Sequence, residues 1–387
     1  MSEGALLYVV AGEASGDSRG AEMLGALREL LPRLRIVGAG GVKIQALADD
    51  PFLEWADEAV VGFWDVLKKY GYFRRQFDRM LEEVERLHPA ALVLVDYPGF
   101  NTRLARAVRE RCPAIPIVFY ISPQVWAWNR GRIPKMAKYL DLMLCIFPFE
   151  KELYEASGLR AEFVGHPMLD SLPAFRIDQP RSTDLVGLFP GSRDREVRRL
   201  FPVMVQAARL LSARFSGLRF EAAAANAALE AWMREYLEAN EYDPDFCRVS
   251  RGRFHALAQE AAAGMVCSGT ATLETAYFGL PMVITYKVAW PTWWLGRLLV
   301  KLPYIGMPNV LAGRRIVPEW LQSDATPSRL AETVGNILSD PSLGAAQQSA
   351  FSHVIHGLGG PGAGIRAARV VERELRSRRP DLFSEAT

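Results

Sequence analysis

The chain alternates short apolar runs with amphipathic segments, and it does so twice. Residues 6–10, 34–37, 92–95, 117–121, 142–146 and 162–164 read as buried strands with helical segments between them. Parallel strands need a crossover after each strand, so helices cover both faces and the strands become continuously apolar. The alternation restarts at residues 185–189 and continues through 218–222, 246–249, 264–267 and 282–285. The pattern predicts an α/β chain of two Rossmann-like, doubly wound domains, residues 1–170 and 184–345, joined by the proline-bearing stretch 167–183. A helical tail, 346–387, follows, and the glycine run at 357–362 lets its last helix cross to the other domain or to another subunit. A length of 387 residues, half of them hydrophobic, is enough for two separate cores. Open α/β sheets take ligands outside the carboxyl ends of their strands, so a cleft between two such sheets is the expected site.

Two turns stand out against this frame. Gly264-Met-Val-Cys-Ser-Gly-Thr-Ala-Thr-Leu-Glu274 reads as a strand, a hydroxyl-rich glycine turn and a helix start. Such a turn aims unpaired backbone N–H groups and the positive helix end at one spot, which suits a phosphate. Residues 184–189 form a similar strand, followed by Pro190-Gly-Ser-Arg193, where the arginine fork matches a diphosphate. Both point to a nucleotide. The first turn of the chain, Ala11-Gly-Glu-Ala-Ser-Gly-Asp17, lacks the GxGxxG spacing and carries two carboxylates, which disfavours a dinucleotide. Its glycines fit a tight turn and close helix packing as well as they fit an acceptor site.

Asp96 stands where an apolar strand ends and Tyr97-Pro98-Gly99 forces a turn. A carboxylate there suits a general base with a pKa raised by burial, or a cap for the helix beginning near Asn101. Ser122-Pro-Gln-Val-Trp-Ala-Trp128 sets aromatic faces beside polar groups, as sugar-binding surfaces do, although core packing explains the tryptophans equally. Residues 61–77 carry an aromatic stripe with Trp64 and Phe73 among lysines and arginines, and residues 290–301 place Trp293 and Trp294 beside Arg297. Each is compatible with a core helix; together they suggest contact with a membrane surface. His166 falls at the expected domain boundary, where a satisfied histidine is the simpler reading.

Composition excludes several classes. With 46 basic and 44 acidic residues the chain lacks the field of a nucleic-acid binder. Four separated cysteines form no CxxC pair, so neither a zinc site nor a disulfide framework is expected. No signal peptide or membrane-spanning run is visible, which points to a cytoplasmic protein.

The motifs quoted, with Phe147-Pro-Phe-Glu150, Val164-Gly-His166 and Pro308-Asn-Val-Leu-Ala-Gly-Arg314, occur in an order that closely resembles the lipid-A-disaccharide synthase family, glycosyltransferase family 19. The resemblance runs from about residue 6 to past residue 322. It implies the two-domain GT-B architecture, transfer of a diacylglucosamine from UDP-2,3-diacylglucosamine to 2,3-diacylglucosamine 1-phosphate, an inverting β-1,6 linkage, and neither metal nor cofactor. It implies Asp96 as base and Arg193 as a catalytic cation. Gly191, Ser192, Arg193, Ser268, Gly269, Thr270, Ala271 and Glu274 would hold UDP, and Gly12, Ser15, Gly16, Ser122, Trp126, Asn309 and Glu319 acceptor or sugar. Acylated substrates imply a peripheral protein on the cytoplasmic face of the inner membrane, with Trp64, Phe73, Trp293, Trp294 and Arg297 toward the lipid, and the C-terminal hinge permits a homodimer. Two rivals share the nucleotide turns: a UDP-sugar 2-epimerase, and a nucleotide-sugar-binding scaffold without turnover.

Overall fold

The computed structural model describes residues 5–55, 70–290, 293 and 302–380, and it divides into two units, residues 1–170 with 358–387 and residues 171–357. The first unit is a seven-stranded parallel sheet ordered β3-β2-β1-β4-β5-β6-β7. Its strands are β1 Leu6–Ala11, β2 Arg35–Gly40, β3 Phe52–Glu54, β4 Ala91–Val95, β5 Ile117–Tyr120, β6 Leu142–Cys145 and β7 Ala161–Phe163. Strand alternation divides β1 between two cores. Leu7, Val9 and Ala11 face one side, and Tyr8 and Val10 the other, all fully buried.

The second unit is a six-stranded parallel sheet ordered β10-β9-β8-β11-β12-β13. Its strands are β8 Leu185–Phe189, β9 Arg219–Ala224, β10 Cys247–Arg251, β11 Ala263–Cys267, β12 Met282–Tyr286 and β13 Glu319–Leu321. Every strand seen in the sequence forms, with ends displaced by at most three residues. The two strands not foreseen, β3 and β13, are three-residue edge strands without an apolar run.

Both sheets reverse their order at one place. Successive strands run outward from β1 through β2 to β3, and then from β4 on the other side; β8 and β11 repeat the arrangement. The connections on either side of such a switch point diverge over opposite faces, leaving an opening at the carboxyl ends of the two central strands. The turns after β1 and β4 in the first unit, and those after β8 and β11 in the second, flank that opening.

The final helix, Ala363–Arg378, belongs to the first unit rather than to a separate tail. Ala367, Ala368, Val371 and Leu375 join the buried cluster formed with the helix Ala14–Leu30. Gly364 permits the close approach, since a Cβ there would sit 3.4 Å from the backbone of Glu22 and Met23. Arg160–Glu374 at 3.0 Å and Arg373–Glu162 at 2.7 Å tie the helix to β7 and the turn before it. The preceding helix, Pro341–His356, stays with the second unit.

Candidate functional site

In the second unit the turn after β8 holds Gly191 at φ +109, a conformation that favours glycine, and Cys267 and Glu196 stand 3.3 Å from where a Cβ would point. Ser192 and Arg193 follow, both exposed, and Arg193 is the N-cap residue of the helix Asp194–Arg214. The turn after β11 is built alike: Gly269, at φ 150, is the N-cap residue of the helix Thr270–Tyr277. Neither helix has a side-chain cap. Two uncapped helix starts thus leave adjacent strands at the switch point, each offering backbone N–H donors and a positive helix end. Arg193 adds a cation, its side chain 70% exposed and paired with Glu196 at 2.9 Å.

Not every polar group here is available to a ligand. Ser268 Oγ donates to the carbonyl of Ile305 at 3.0 Å, and Thr272 and Thr275 turn their hydroxyls back onto helix carbonyls. Thr270 is exposed at the helix start. Glu274 bonds His255 Nε2 through Oε2 at 2.9 Å, and the imidazole lies 4.1 Å from the Phe175 ring centroid. His255 carried no motif in the sequence; only the fold brings it to Glu274.

In the first unit, Asp96 immediately follows β4 at the switch point, and it and Tyr97 are consecutive non-glycine residues in the left-handed region, at φ 51 and φ 48. Such residues cost about 1–3 kcal/mol each and persist only where their surroundings over-determine them. Here Asn101, fully buried, sends its amide to the carbonyls of Asp96 at 2.8 Å and Val95 at 3.2 Å, and Tyr97 packs against Trp55 with ring centroids 5.9 Å apart. Burial pushes the Asp96 carboxyl up to about 6, aided by the charge of Glu13, while the Tyr97 N–H opposes the shift. The helix Pro98–Arg111 begins at the N-cap residue Tyr97 without a side-chain cap.

The turn after β1 sits against this residue. A Cβ on Gly12 would fall 2.2 Å from the Tyr97 ring, and one on Gly16 would touch the Asp96 Cβ at 3.7 Å. Ser15 is exposed, whereas Asp17 is buried and accepts from the N–H groups of Gly41, Lys43 and Ile44. Beside Tyr97 opens a groove of about 490 Å³ floored by Phe73, Phe77, Tyr97 and Phe100, with Arg74, Asp78, Gly99 and Arg103 also lining it.

A family model described as lipid-A-disaccharide synthetase matches residues 7–360, nearly the whole chain. The chain belongs to the lipid-A-disaccharide synthase family. The lipid-A-disaccharide synthase of Syntrophus aciditrophicus is 39% identical over 373 residues, covering 94% of this chain and 96% of that protein. Among solved structures, a transferase from Siraitia grosvenorii in complex with UDP superposes with a TM-score of 0.60 at 12% identity, covering 96% of this chain and 99% of the other. The UDP-GlcNAc 2-epimerase of Neisseria meningitidis bound to UDP-GlcNAc gives 0.58 at 10% identity over 96% and 100%. At such identities the likeness carries the GT-B fold and no chemistry, so it does not favour the epimerase.

Several residues that resemblance to the lipid-A-disaccharide synthase family nominates are engaged within the protein. Ser122 and Trp126 are buried, and both donate to Glu150, Trp126 Nε1 at 2.7 Å; the Phe147 N–H joins them at 3.1 Å. Glu150 is fully buried, its carboxyl pushed up to about 7 by burial, and it explains why the Phe147–Glu150 motif stands where it does. Asn309 is likewise saturated: it donates to Val317 O and Glu319 Oε1 and accepts from the N–H groups of Ile316 and Val317. Glu319 in turn accepts from Ile305 and Gly306. In this structure these side chains order loops.

His166 is half-buried, its pKa lowered to about 4 by desolvation, and accepts from Met168 N–H at 3.2 Å. Phe73 is partly buried, packing edge-on to Trp55 at 6.2 Å at the margin of the first unit's core while also lining the groove beside Tyr97. Trp293 is half-buried; Trp64, Trp294 and Arg297 lie outside the described residues. Among the described residues no helix is long and apolar enough to cross a membrane, and no group of three or more His, Cys, Asp or Glu is placed to hold a metal ion.

Proposed function

We propose that this chain transfers 2,3-diacylglucosamine from its UDP ester to the 6-hydroxyl of 2,3-diacylglucosamine 1-phosphate, with inversion, forming the β-1,6 disaccharide and UDP. The observation that carries the reading is the pairing of two uncapped helix starts with Arg193 at the switch point of a chain matched by the family model over residues 7–360. Asp96 takes the hydroxyl proton as the acceptor oxygen bonds to the donor anomeric carbon. The anomeric carbon–oxygen bond breaks on the opposite side, and its electron pair leaves with the diphosphate. That charge is met by the N–H groups after Gly191 and Gly269 and by Arg193. Glu274, braced by His255, is the partner for ribose hydroxyls.

The first unit supplies the base and the acceptor surface, where Gly12 and Gly16 keep the turn after β1 close to Asp96 and the aromatic groove beside Tyr97 takes an acyl chain. Trp290, 55% exposed, suits a protein that works at the cytoplasmic face of the inner membrane with its acylated substrates still in the bilayer. In a homodimer formed by C-terminal exchange, the helix Ala363–Arg378 would have to rebuild in the partner the packing it makes in its own chain.

Purified protein given UDP-diacylglucosamine and labelled diacylglucosamine 1-phosphate should yield labelled disaccharide and an equal amount of UDP. Free sugar or interconverted UDP-sugars in place of disaccharide would establish the epimerase branch. UDP binding without any turnover would establish the scaffold.

A further inference from the structure

The donor turn contains an anion of its own. Glu196 is the third residue of the helix Asp194–Arg214, and its side chain is 12% exposed. Its Oε1 lies 2.9 Å from Arg193 Nη1, and its Oε2 stands 3.3 Å from where a Cβ on Gly191 would project. Cys267, at the end of β11, lines the same spot, and the charge of Glu196 reaches both Cys267 and Tyr286. A glutamate at this helix position commonly folds back to cap the N-terminal N–H groups. This helix has no side-chain cap, and Glu196 is directed to the guanidinium. The carboxylate therefore answers to the same two attractions, a helix start and Arg193, that a diphosphate would use.

We infer that Glu196 is a positioning residue for product release, a resident carboxylate that reclaims Arg193 from the diphosphate of UDP and so speeds its departure. The inference rests on the donor-site reading above. Arg193 is exposed enough to move between the two partners, whereas Glu196 is held by its packing. Only the arginine end of the pair is exposed, so Arg193 can leave a carboxylate that stays in place, and the consequence of the pairing is competition for the cation.

The test is UDP binding by calorimetry and UDP dissociation by stopped flow on the full chain, comparing wild type with Glu196→Gln. The glutamine variant should bind UDP about tenfold more tightly, with slower dissociation, stronger inhibition by UDP and a lower steady-state kcat beside an unchanged single-turnover rate. Glu196→Asp, which keeps the charge, should behave as wild type. Glu196→Ala serves as a second neutral variant if the glutamine form melts early. Equal or weaker UDP binding by the folded neutral variants would overturn the release role, since loss of a carboxylate that competes for Arg193 must leave the guanidinium freer for the diphosphate. Tighter binding by the aspartate variant as well would assign the effect to side-chain size and overturn it too. Failure of wild type itself to bind UDP would instead overturn the donor-site reading.

Discussion

Replacing Asp96 by asparagine separates what this residue does for chemistry from what it costs the fold. Asparagine tolerates the left-handed backbone at φ 51 and can still accept from the Tyr97 N–H, so the change removes charge with little else. A positioned general base contributes about 10²–10⁴-fold, and turnover at pH 8 should fall by that factor while UDP binding is kept. The wild-type rate should follow ionisation of a carboxyl near pH 6, so that at pH 5 roughly a tenth of the plateau rate remains. Stability moves the other way. The folded-state pKa lies above the ordinary 3.8, so this group's favourable contribution is complete below pH 3.8 and is lost as pH rises through about 6. At 1.36 kcal/mol per unit, the desolvated charge costs up to about 3 kcal/mol at pH 8. Asp96→Asn should therefore melt several degrees above wild type at pH 8, with the gap closing toward pH 4. The measurements are UDP release against pH and thermal melting against pH for both proteins. Turnover within threefold of wild type at pH 8 would refute the base assignment. A lower melting temperature for the variant at pH 8 would refute the burial argument behind it.

Two further substitutions probe the second unit. Arg193→Ala should weaken UDP binding by about 10–100-fold, the worth of a charge-assisted hydrogen bond to a phosphate, and should lower the melting temperature by a few degrees because Glu196, 12% exposed, loses its cation; calorimetry and melting report both. Asn309→Ala removes four hydrogen bonds from a fully buried side chain and should destabilise the protein by about 3–5 kcal/mol, measured by urea unfolding, whether or not UDP is present.

The legible parts of the chain were those fixed by neighbours in sequence. Strands such as β8 and β11 announce themselves as apolar runs, and the glycine turns after them follow within a few residues. Asp96 was visible as the polar end of such a run. What sequence concealed were partners brought together by crossovers. Glu150 receives Ser122 and Trp126 across 28 and 24 residues, so two side chains that resemble sugar ligands are instead bound to a buried carboxylate. His255 reaches Glu274 from a different helix, and Asn101 straightens no local turn but pins the carbonyl of Asp96 and, at 3.4 Å, that of Val10 on another strand. Glu196 was in plain view three residues after Arg193, yet its direction toward the guanidinium depends on Gly191 and Cys267 closing the other side. Edge strands β3 and β13 were missed because three residues at a sheet margin need no hydrophobic pattern.

Closure of the first unit by its last helix imposes an order on synthesis. The face of the helix Ala14–Leu30 that meets Ala363–Arg378 emerges from the ribosome early and has no covering until roughly two hundred more residues beyond Asp170 are made, about 10–40 s at bacterial elongation rates. The second unit, contiguous from Ser171 to Gly357, is complete before that moment. The nascent chain thus carries a finished second unit while its first unit still shows an apolar stripe to the cell, and that interval is when a holdase chaperone has something to grip.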